Sequence, residues 1–304
     1  MNVKEYLVKH KVEEITNGQS GAGVYMIDGE YILKHVKKEK LDSKVFDTYK
    51  REALFYQEKK GKDLFVPEIK ELELSDDEII LIMKKYSELN RADIDDELIS
   101  KIANLLAGVH RSDIPGFLND NSDKQKLLSD NEIEDCVNGW KSVLNEHEGV
   151  FSEGILNDVA ANINDIISLK NKEKSVLVHG DFHWENILKD DSGNLILCDW
   201  QGVKVSGPSE DLSFFLSRLG ADGVNIDEDG FLNAYADAYE NLCDEKVDVS
   251  EIKKYMWASR VITTFLYWHF FLHGSDVERV REVYEKMNLV DTHKLLILSK
   301  IKEV

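Results

Sequence analysis

The most informative stretch of the sequence runs from Val176 to Gln201 and reads VLVHGDFHWENILKDDSGNLILCDWQ. Apolar runs at its start, middle and end are typical of short buried strands, and the Ser-Gly-Asn sequence at 192–194 predicts a turn between the last two. Asp181 and Asn186 belong to the loop between the first two strands, and Asp199 directly follows the third. Because the turn would return the third strand beside Asn186, the sequence predicts that these three oxygen-bearing side chains lie close together.

Such a set provides the few groups that phosphoryl transfer requires. The reaction needs a carboxylate to orient and deprotonate the attacking hydroxyl, and oxygen ligands to hold Mg²⁺ against the phosphates. Mg²⁺ prefers oxygen ligands and usually takes one or two carboxylates together with phosphates and water. A lone Asp-x-x-x-x-Asn carries no information, since loop carboxylates are usually solvated. The ordered set between strands is far more specific and favours a phosphotransferase.

Around this stretch, the chain shows strand patterns first and helical patterns later. The strands are predicted at 13–36, with a hairpin turn at Asp28-Gly29, and at 69–74 and 78–84. Helices are predicted at 2–12, 46–60, 96–111, 130–148, 153–170 and 255–273. This order predicts an α+β protein of two lobes, a β-rich nucleotide-binding lobe in residues 1–87 and a mostly helical, catalytic and substrate-binding lobe in residues 88–304.

The last of these helices is rich in aromatic residues. Aromatic side chains at helical spacing usually belong to a core, so we expect Trp257, Tyr267, Trp268 and Phe270 to be buried. An aromatic cage for a quaternary amine is the alternative.

The 304-residue chain is strongly acidic, with 38 basic and 58 acidic side chains and a formal net charge of −20. Such a surface repels polyanions, so we expect neither nucleic acid nor a membrane as a partner. Residues 1–87 hold 16 basic and 17 acidic side chains, a net of −1, which leaves 22 and 41, a net of −19, for residues 88–304. The acidity of the second segment is explained equally well by solubility and by attraction of a cationic substrate.

The cysteines and the hydropathy bear on the compartment. Cys136, Cys198 and Cys243 are odd in number and have no CxxC spacing, which argues against a disulfide framework or a zinc site. No apolar run approaches the roughly 18 residues of a membrane span, and the first residues have no signal-peptide pattern. The sequence therefore predicts a cytoplasmic protein.

The pattern His179-Gly-Asp181-x-x-x-x-Asn186 followed by Asp199 resembles the aminoglycoside phosphotransferase family, which is related to choline kinases and protein kinases. The resemblance extends over nearly the whole chain, although only the segment around this motif is strongly similar. It implies a bilobal protein-kinase-like fold, with Asp181 as the catalytic base and Asn186 and Asp199 as Mg²⁺ ligands. His179 and Asp211 would hold the catalytic loop without reacting.

The resemblance also implies a nucleotide site in the first lobe. Lys34, on the second strand of the hairpin, would contact the α- and β-phosphates and pair with Glu52 on the next helix. In the loop from Gly18 to Gly23, Ser20 and Gly21 would lie over the phosphates; an ordinary hairpin turn is the alternative. 

Adenine would bind the segment that links the lobes, which by position contains Met83, Lys84 and Tyr86. Because backbone groups read the base there, ATP and GTP are not distinguished. Inside the catalytic loop, the substrate would contact His183, Trp184 and Glu185.

Two features of the motif argue against a protein kinase. Asp199 and Asp211 are only twelve residues apart with no Ala-Pro-Glu after them, which is too short an interval to seat a peptide. Trp200-Gln201 also replaces the Phe-Gly that protein kinases carry after the metal-binding Asp, which removes their switching residue. A small-molecule acceptor is therefore favoured.

The acidic second lobe suits a cationic, hydroxyl-bearing acceptor. We expect an aminoglycoside 3'- or 2''-type O-phosphotransferase of the antibiotic-resistance kind, acting as a monomer or homodimer. A choline-, ethanolamine- or sugar-type metabolite kinase is the alternative within the fold, and a nucleotide-binding pseudokinase module is the alternative of another class.

Overall fold

The computed structural model describes residues 3–15, 21–63, 65–90, 94–118, 124–243 and 245–289, apart from the Lys4 side chain. Contacts divide the chain into two compact units. The first unit contains residues 1–123, 175–206 and 214–247, and the second contains residues 124–174, 207–213 and 248–304. The predicted division at residue 87 into functional lobes stays a prediction.

The first unit begins with the elements α1 (Val3–Lys9), β1 (Val12–Glu14), β2 (Gly23–Ile27), β3 (Tyr31–Lys37), α2 (Ser43–Lys59), β4 (Ile69–Leu74) and β5 (Glu78–Lys84). The five strands form an antiparallel sheet in the order β1-β2-β3-β5-β4. The turn between β2 and β3 lies at Asp28 and Gly29, with φ of 54° and 76°. Two successive positive φ values are those of a tight hairpin turn, as predicted.

Helix α2 packs against this sheet because its apolar side chains recur on one face. Phe46, Tyr49 and Ala53 are buried with Val36 of β3 and Ile79 of β5. The helix begins at an Asp42 cap, whose side chain accepts a hydrogen bond from the Lys44 backbone N–H. The burial of this face fixes which way the remaining side chains of α2 point.

The rest of the first unit combines helices with short strands. Its elements are β6 (Ser87–Glu88), α3 (Asp96–Arg111), β7 (Val176–Val178), β8 (Ile187–Lys189), β9 (Leu195–Leu197), β10 (Lys204–Ser206) and α7 (Glu228–Cys243). Strands β6, β8 and β9 form one antiparallel sheet, and β7 pairs with β10 in another. The three short strands predicted within residues 176–201 are confirmed as β7, β8 and β9, whereas the short strands β6 and β10 were not predicted. Helix α6 covers Ser209–Ala221.

The second unit is helical and has its own core. Its helices include α4 (Asp130–Asn145), α5 (Gly154–Lys170), α8 (Val249–Tyr267) and α9 (Val277–Glu285). Trp140, Ile163, Phe265 and Tyr284 are buried together there. The Trp140 indole N–H donates to the Phe265 carbonyl oxygen at 3.1 Å, so this large side chain is buried with its polar group satisfied.

The aromatic helix differs from its prediction in length and in burial. Helix α8 ends at Tyr267 and a single 3-10 turn follows, so the predicted end near residue 273 is wrong. Tyr267 is 52% exposed and Phe270 is 68% exposed, which contradicts their expected place in the core. Tyr267 lies on the exposed face of α8, one turn after the exposed Thr263, and Phe270 lies in the 3-10 turn beyond the end of the helix. Trp257 and Trp268 are half-buried against the core.

The α+β fold class is confirmed, with an antiparallel sheet followed by a mostly helical region. In the part of the chain that the structure describes, no helix combines the length and the apolar character needed to cross a membrane.

Candidate active site

The hairpin of β8 and β9 brings Asn186 and Asp199 together. Ile187 pairs with Leu197 in the antiparallel register, and the Cys198 N–H donates to the Asn186 carbonyl oxygen at 2.9 Å. Asn186 and Asp199 therefore flank the paired ends of two adjacent strands, as the sequence predicts.

The side-chain amide of Asn186 contacts Asp181. The Asn186 Nδ2 donates to the Asp181 carbonyl oxygen at 2.9 Å and to Asp181 Oδ2 at 3.3 Å. His183 Nε2 lies 3.6 Å from the same carboxylate oxygen. Burial raises the pKa of Asp181, but the hydrogen bond and charge of His183, with smaller contributions from His179 and Asn186, outweigh it, so that the pKa lies below its usual value. The carboxylate is ionised near neutral pH and can accept a proton.

His179, which is fully buried, holds the loop of Asp181 in place. Its Nδ1 accepts from the Asp181 backbone N–H at 3.3 Å, and its Nε2 lies 2.9 Å from the Cys198 carbonyl oxygen. The first contact requires an unprotonated Nδ1, so Nε2 carries the proton that is donated to Cys198. His179 thus connects the loop of Asp181 with the strand that leads to Asp199.

Two neighbours of Asp181 in the chain also fix the loop. Gly180 has φ of 80°, and a Cβ added there would overlap the carbonyl oxygen of Gly202. Phe182 is fully buried, with its ring centroid 5.3 Å from that of Phe215. The backbone on both sides of Asp181 therefore has little freedom.

Lys34 and Glu52 form a buried ion pair between β3 and α2. Lys34 Nζ lies 3.1 and 2.9 Å from the two Glu52 carboxylate oxygens and 3.3 Å from Asp199 Oδ1. Burial opposes the charge of Lys34, but the carboxylates of Glu52 and Asp199 outweigh this and raise the pKa of Lys34 well above its usual value. Lys34 is therefore positively charged, and its ammonium group contacts the Asp199 carboxylate.

Asp199 adopts a left-handed backbone conformation, with φ of 62° and ψ of 62°. Such a conformation costs about 1–3 kcal/mol for a residue other than glycine and persists only where neighbouring contacts hold it. Its side chain is 41% exposed. The strained backbone and the exposed side chain together indicate that Asp199 has a role other than packing.

The donor chemistry of Asn186 and Asp199 fits a magnesium ion. The Asn186 NH₂ group faces Asp181, and this orientation leaves its amide oxygen as the ligand atom. Asp199 contributes a partly exposed carboxylate. One carboxylate and one amide oxygen, completed by phosphate and water, are a ligand set that Mg²⁺ accepts.

The remaining predicted nucleotide residues lie at the end of β5 and before β2. Met83 is buried, and Lys84 Nζ lies 3.8 Å from Asp191 Oδ2. The Tyr86 hydroxyl accepts from the Glu68 N–H at 2.9 Å. Gly21 has φ of 72°, whereas Ser20 lies outside the described residues. Contact of these residues with a nucleotide stays a prediction.

The predicted substrate residues differ in accessibility. Trp184 is buried, and the His183 side chain is 14% exposed. Glu185 is 62% exposed and lies 3.8 Å from Arg218. Asp211 is buried in the first turn of α6, and its role in bracing the loop stays a prediction, as do the substrate contacts.

The two residues after Asp199 were not predicted to contact other parts of the site. The Trp200 ring stacks on Phe55 of α2 at 3.9 Å between centroids and an angle of 16°, and its Nε1–H donates to the Leu197 carbonyl oxygen. The Gln201 Nε2 donates to Asp199 Oδ1 at 2.6 Å. No local signal in the sequence indicates the stacking of Trp200 on Phe55, because Phe55 comes from a distant segment.

Solved structures of small-molecule kinases share this fold. A ternary complex of APH(2'')-IIa with streptomycin and ATP has a TM-score of 0.60 and 16% identity, covering 94% of this chain and 97% of that one. A complex of APH(2'')-IIIa with GDP and kanamycin has a TM-score of 0.58 and 12% identity, covering 91% of each chain. Ethanolamine kinase from Plasmodium vivax has a TM-score of 0.56 and 14% identity, covering 94% of this chain and 84% of that one.

At these identities the likeness establishes the fold, which is that of small-molecule kinases. A sequence model of the phosphotransferase enzyme family (APH) matches residues 11–248, which is most of the chain. The chain belongs to this family and is a phosphotransferase. No curated protein matches the sequence significantly.

Proposed function

We propose that this phosphotransferase moves the γ-phosphate of ATP or GTP onto a hydroxyl group of an aminoglycoside-type polycation. One observation carries the proposal: Asn186 contacts Asp181, the β8–β9 hairpin pairs Asn186 with the residue before Asp199, and Asp199 contacts the Lys34–Glu52 pair. The complexes with ATP and GDP among the similar structures support a nucleotide donor. A cytoplasmic location and a monomeric or homodimeric state belong to the same proposal.

The roles of the residues follow from their chemistry. Lys34, held by Glu52, binds the phosphate oxygens of the nucleotide. Asn186 and Asp199 would hold Mg²⁺, which when bound neutralises phosphate charge. Asp181 accepts a hydrogen bond from the acceptor hydroxyl and takes its proton as the new oxygen–phosphorus bond forms. The bond from the γ-phosphorus to the bridging oxygen breaks, and the nucleoside diphosphate leaves.

The choice of a polycationic acceptor rests on electrostatics. Residues 88–304 carry a net charge of −19, from 22 basic and 41 acidic side chains. A strongly negative surface raises the local concentration of cations and their encounter rate. Glu185, four residues after Asp181, adds a carboxylate that is 62% exposed, beside Arg218, to the negative charge near the loop. Streptomycin and kanamycin, which are present in two of the similar structures, are polycations of this charge class.

An amino alcohol is the second candidate, favoured by the likeness to an ethanolamine kinase. Such a substrate carries a single positive charge, so the acidic surface would attract it less than a polycation. The difference in charge separates the two candidates by experiment.

The test is a phosphorylation screen with ATP and with GTP against kanamycin-type aminoglycosides, ethanolamine, choline and neutral sugars, with mass spectrometry of the products. We expect a product that gains one phosphoryl group from an aminoglycoside, with a kcat/KM that falls as salt is added. Phosphorylation of an amino alcohol alone would select the second candidate. Binding of Mg·ATP with no product from any acceptor would instead favour a nucleotide-binding module.

The catalytic residues are tested by replacing carboxylates with amides. Asp181→Asn should lower kcat by about a hundred- to ten-thousandfold with Mg·ATP binding preserved, because the residue acts as a general base. Asp199→Asn should weaken Mg·ATP binding and shift the Mg²⁺ dependence. Asp237→Asn, an exposed position on α7, is the matched control and should behave as wild type. Full activity of Asp181→Asn would refute its assignment as the base.

A further inference from the structure

Gln201 lies between helix α2 and the carboxylate of Asp199. Its Nε2 donates to Asp199 Oδ1 at 2.6 Å, and its Oε1 lies 3.3 Å from the hydroxyl oxygen of Thr48. The same hydroxyl lies 2.8 Å from the Val45 carbonyl oxygen, so its single proton is shared between two acceptors. With Oε1 facing Thr48, the NH₂ group faces Asp199, and the amide has a defined orientation.

The backbone position of Gln201 is also fixed. It belongs to the 3-10 turn Trp200–Gly202, and Trp200 is fully buried and stacked on Phe55 of α2. The turn is thereby anchored to the same helix that supplies Thr48 and Glu52. Gln201 reaches Asp199 from a rigid base rather than from a mobile loop.

Asp199 needs such support more than an ordinary aspartate does. Its backbone is in the left-handed region and its side chain is 41% exposed, so neither packing nor a relaxed backbone holds the carboxylate. Gln201 and Lys34 both donate to Oδ1. Among the contacts of the described residues, both hydrogen bonds to this carboxylate go to Oδ1, so Oδ2 is the Asp199 oxygen that can face a cation.

The two donors differ in what else they do. In the proposed reaction Lys34 also serves the nucleotide phosphates, so its contact with Asp199 competes with substrate. Gln201 is neutral, and its other contact is with the protein. It can therefore orient Asp199 in every state of the enzyme without adding charge beside the cation.

We infer that Gln201, oriented by Thr48, is a positioning residue that sets the carboxylate of Asp199 for binding the nucleotide-associated metal ion. The inference rests on the proposed function, since that function gives Asp199 its metal. Partners of this kind, which hold a metal ligand without touching the metal, typically contribute about 10- to 100-fold to metal affinity.

The experiment compares Gln201→Met with wild type. Methionine keeps the length of the side chain but cannot donate a hydrogen bond to Asp199. The readout is binding of a nonhydrolysable ATP analogue, measured in EDTA and then across a Mg²⁺ titration, together with the Mg²⁺ dependence of kcat.

For Gln201→Met we expect the Mg²⁺ concentration at half-maximal binding enhancement to rise about 10- to 100-fold, with binding in EDTA unchanged within about twofold. Saturating Mg²⁺ should restore most of the analogue binding. Thr48→Val, which leaves Gln201 in place, should shift the Mg²⁺ midpoint in the same direction by a smaller factor. It tests the inference even if Gln201→Met folds poorly.

Gln57→Met is the matched control, because Gln57 is an exposed glutamine on the same helix α2. Equal Mg²⁺ midpoints for Gln201→Met and Gln57→Met, in a wild type that shows Mg²⁺-dependent binding, would overturn the role of Gln201 alone. Loss of analogue binding in EDTA by Gln201→Met and Thr48→Val alike would also overturn it, since the effect would then be structural. A wild type without any Mg²⁺ effect would overturn the proposed function and this inference together.

Discussion

The buried pair of Lys34 and Glu52 offers a quantitative test that does not depend on knowing the substrate. We consider Lys34→Met, Glu52→Gln and the double variant as a double-mutant cycle. Both replacements keep the approximate length of the side chain and remove one charge. The cycle then isolates the interaction between the two groups from their separate contributions to packing.

The geometry sets the expected magnitude. Lys34 Nζ lies 2.9 Å from the nearer Glu52 oxygen, and the side chains are 14% and 2% exposed. Unit charges about 3 Å apart attract by about 5 kcal/mol at an effective dielectric constant of about 20, before the cost of desolvating both. Removing one member of a buried pair costs about 3–5 kcal/mol because the other is left buried and unpaired.

The two single variants are not equivalent. In Glu52→Gln, Lys34 keeps Asp199 as a partner at 3.3 Å, so the loss in free energy of unfolding should be at the lower end of that range. In Lys34→Met the carboxylate of Glu52 is buried without a cation, and the loss should be at the upper end. The double variant should lose less than the sum of the two, with a coupling energy of about 1–3 kcal/mol.

The pH dependence follows from the carboxyl group. Burial raises the pKa of Glu52, and the charge of Lys34 opposes that shift. Without Lys34 the pKa rises further. A carboxyl whose folded pKa exceeds its unfolded value, near 4.5, contributes stability at low pH that is lost as the pH rises through the folded pKa. The loss caused by Lys34→Met should therefore be larger at about pH 8 than at about pH 5.

The assay is urea unfolding followed by circular dichroism and by tryptophan fluorescence, whose agreement tests two-state behaviour. The control is the exposed pair of Lys101 and Glu97 on α3, at 2.7 Å and with side chains 54% and 76% exposed. Lys101→Met should cost no more than about 0.5 kcal/mol. Additive losses in the double variant, or a cost of Lys34→Met no larger than that of Lys101→Met, would refute the reasoning.

Three further predictions concern other parts of the chain, each measured by urea unfolding. Gly180→Ala should lower the free energy of unfolding by about 3 kcal/mol, because the position has a positive φ and the added Cβ would overlap the Gly202 carbonyl oxygen. The control Gly193→Ala also has a positive φ but open space around it, so it should cost only about 1 kcal/mol. Ser129→Ala should cost about 1 kcal/mol by removing the capping box of α4, and no loss would contradict the cap. Hydrogen bonds from the Gly274 backbone and a neighbouring histidine lower the pKa of Glu146, so the carboxylate stabilises the fold above about pH 4.5 and this stabilisation is lost as the pH falls through the folded pKa. Glu146→Gln should therefore lower the free energy of unfolding at neutral pH and make its decrease in acid less steep. An unchanged decrease of the free energy of unfolding in acid would exclude this role of Glu146.

Comparison with the sequence-based predictions shows where local information is sufficient. Helix α3 has the predicted bounds, Asp96 to Arg111, because its apolar face is periodic and an Asp95 cap marks its start. The closeness of Asn186 and Asp199 was also predicted, since one hairpin with a clear turn connects them. In both cases the residues that decide the structure are neighbours in the chain.

Predictions failed where distant contacts decide. Strand β10 exists because it pairs with β7, which comes from a separate segment of the chain, and its three residues carry no pattern of their own. Tyr267 and Phe270 have the aromatic spacing of a core helix, yet Tyr267 lies on the exposed face of α8 and Phe270 lies beyond the end of the helix, where it is exposed. Periodicity identifies the face of a helix only as far as the helix continues.

Apart from the short strands β6 and β10, the sequence alone determined the order of strands and helices, the phosphotransferase family and the loop that carries Asp181, because local patterns and a compact motif encode them. Only the tertiary structure brought Lys34 to Asp199, 165 residues away, and Thr48 to Gln201, 153 residues away. Polar side chains of this kind have no periodicity that indicates a partner. Their contacts are set by how α2 packs against the sheet and the turn after β9, which depends on the burial of apolar faces from all three.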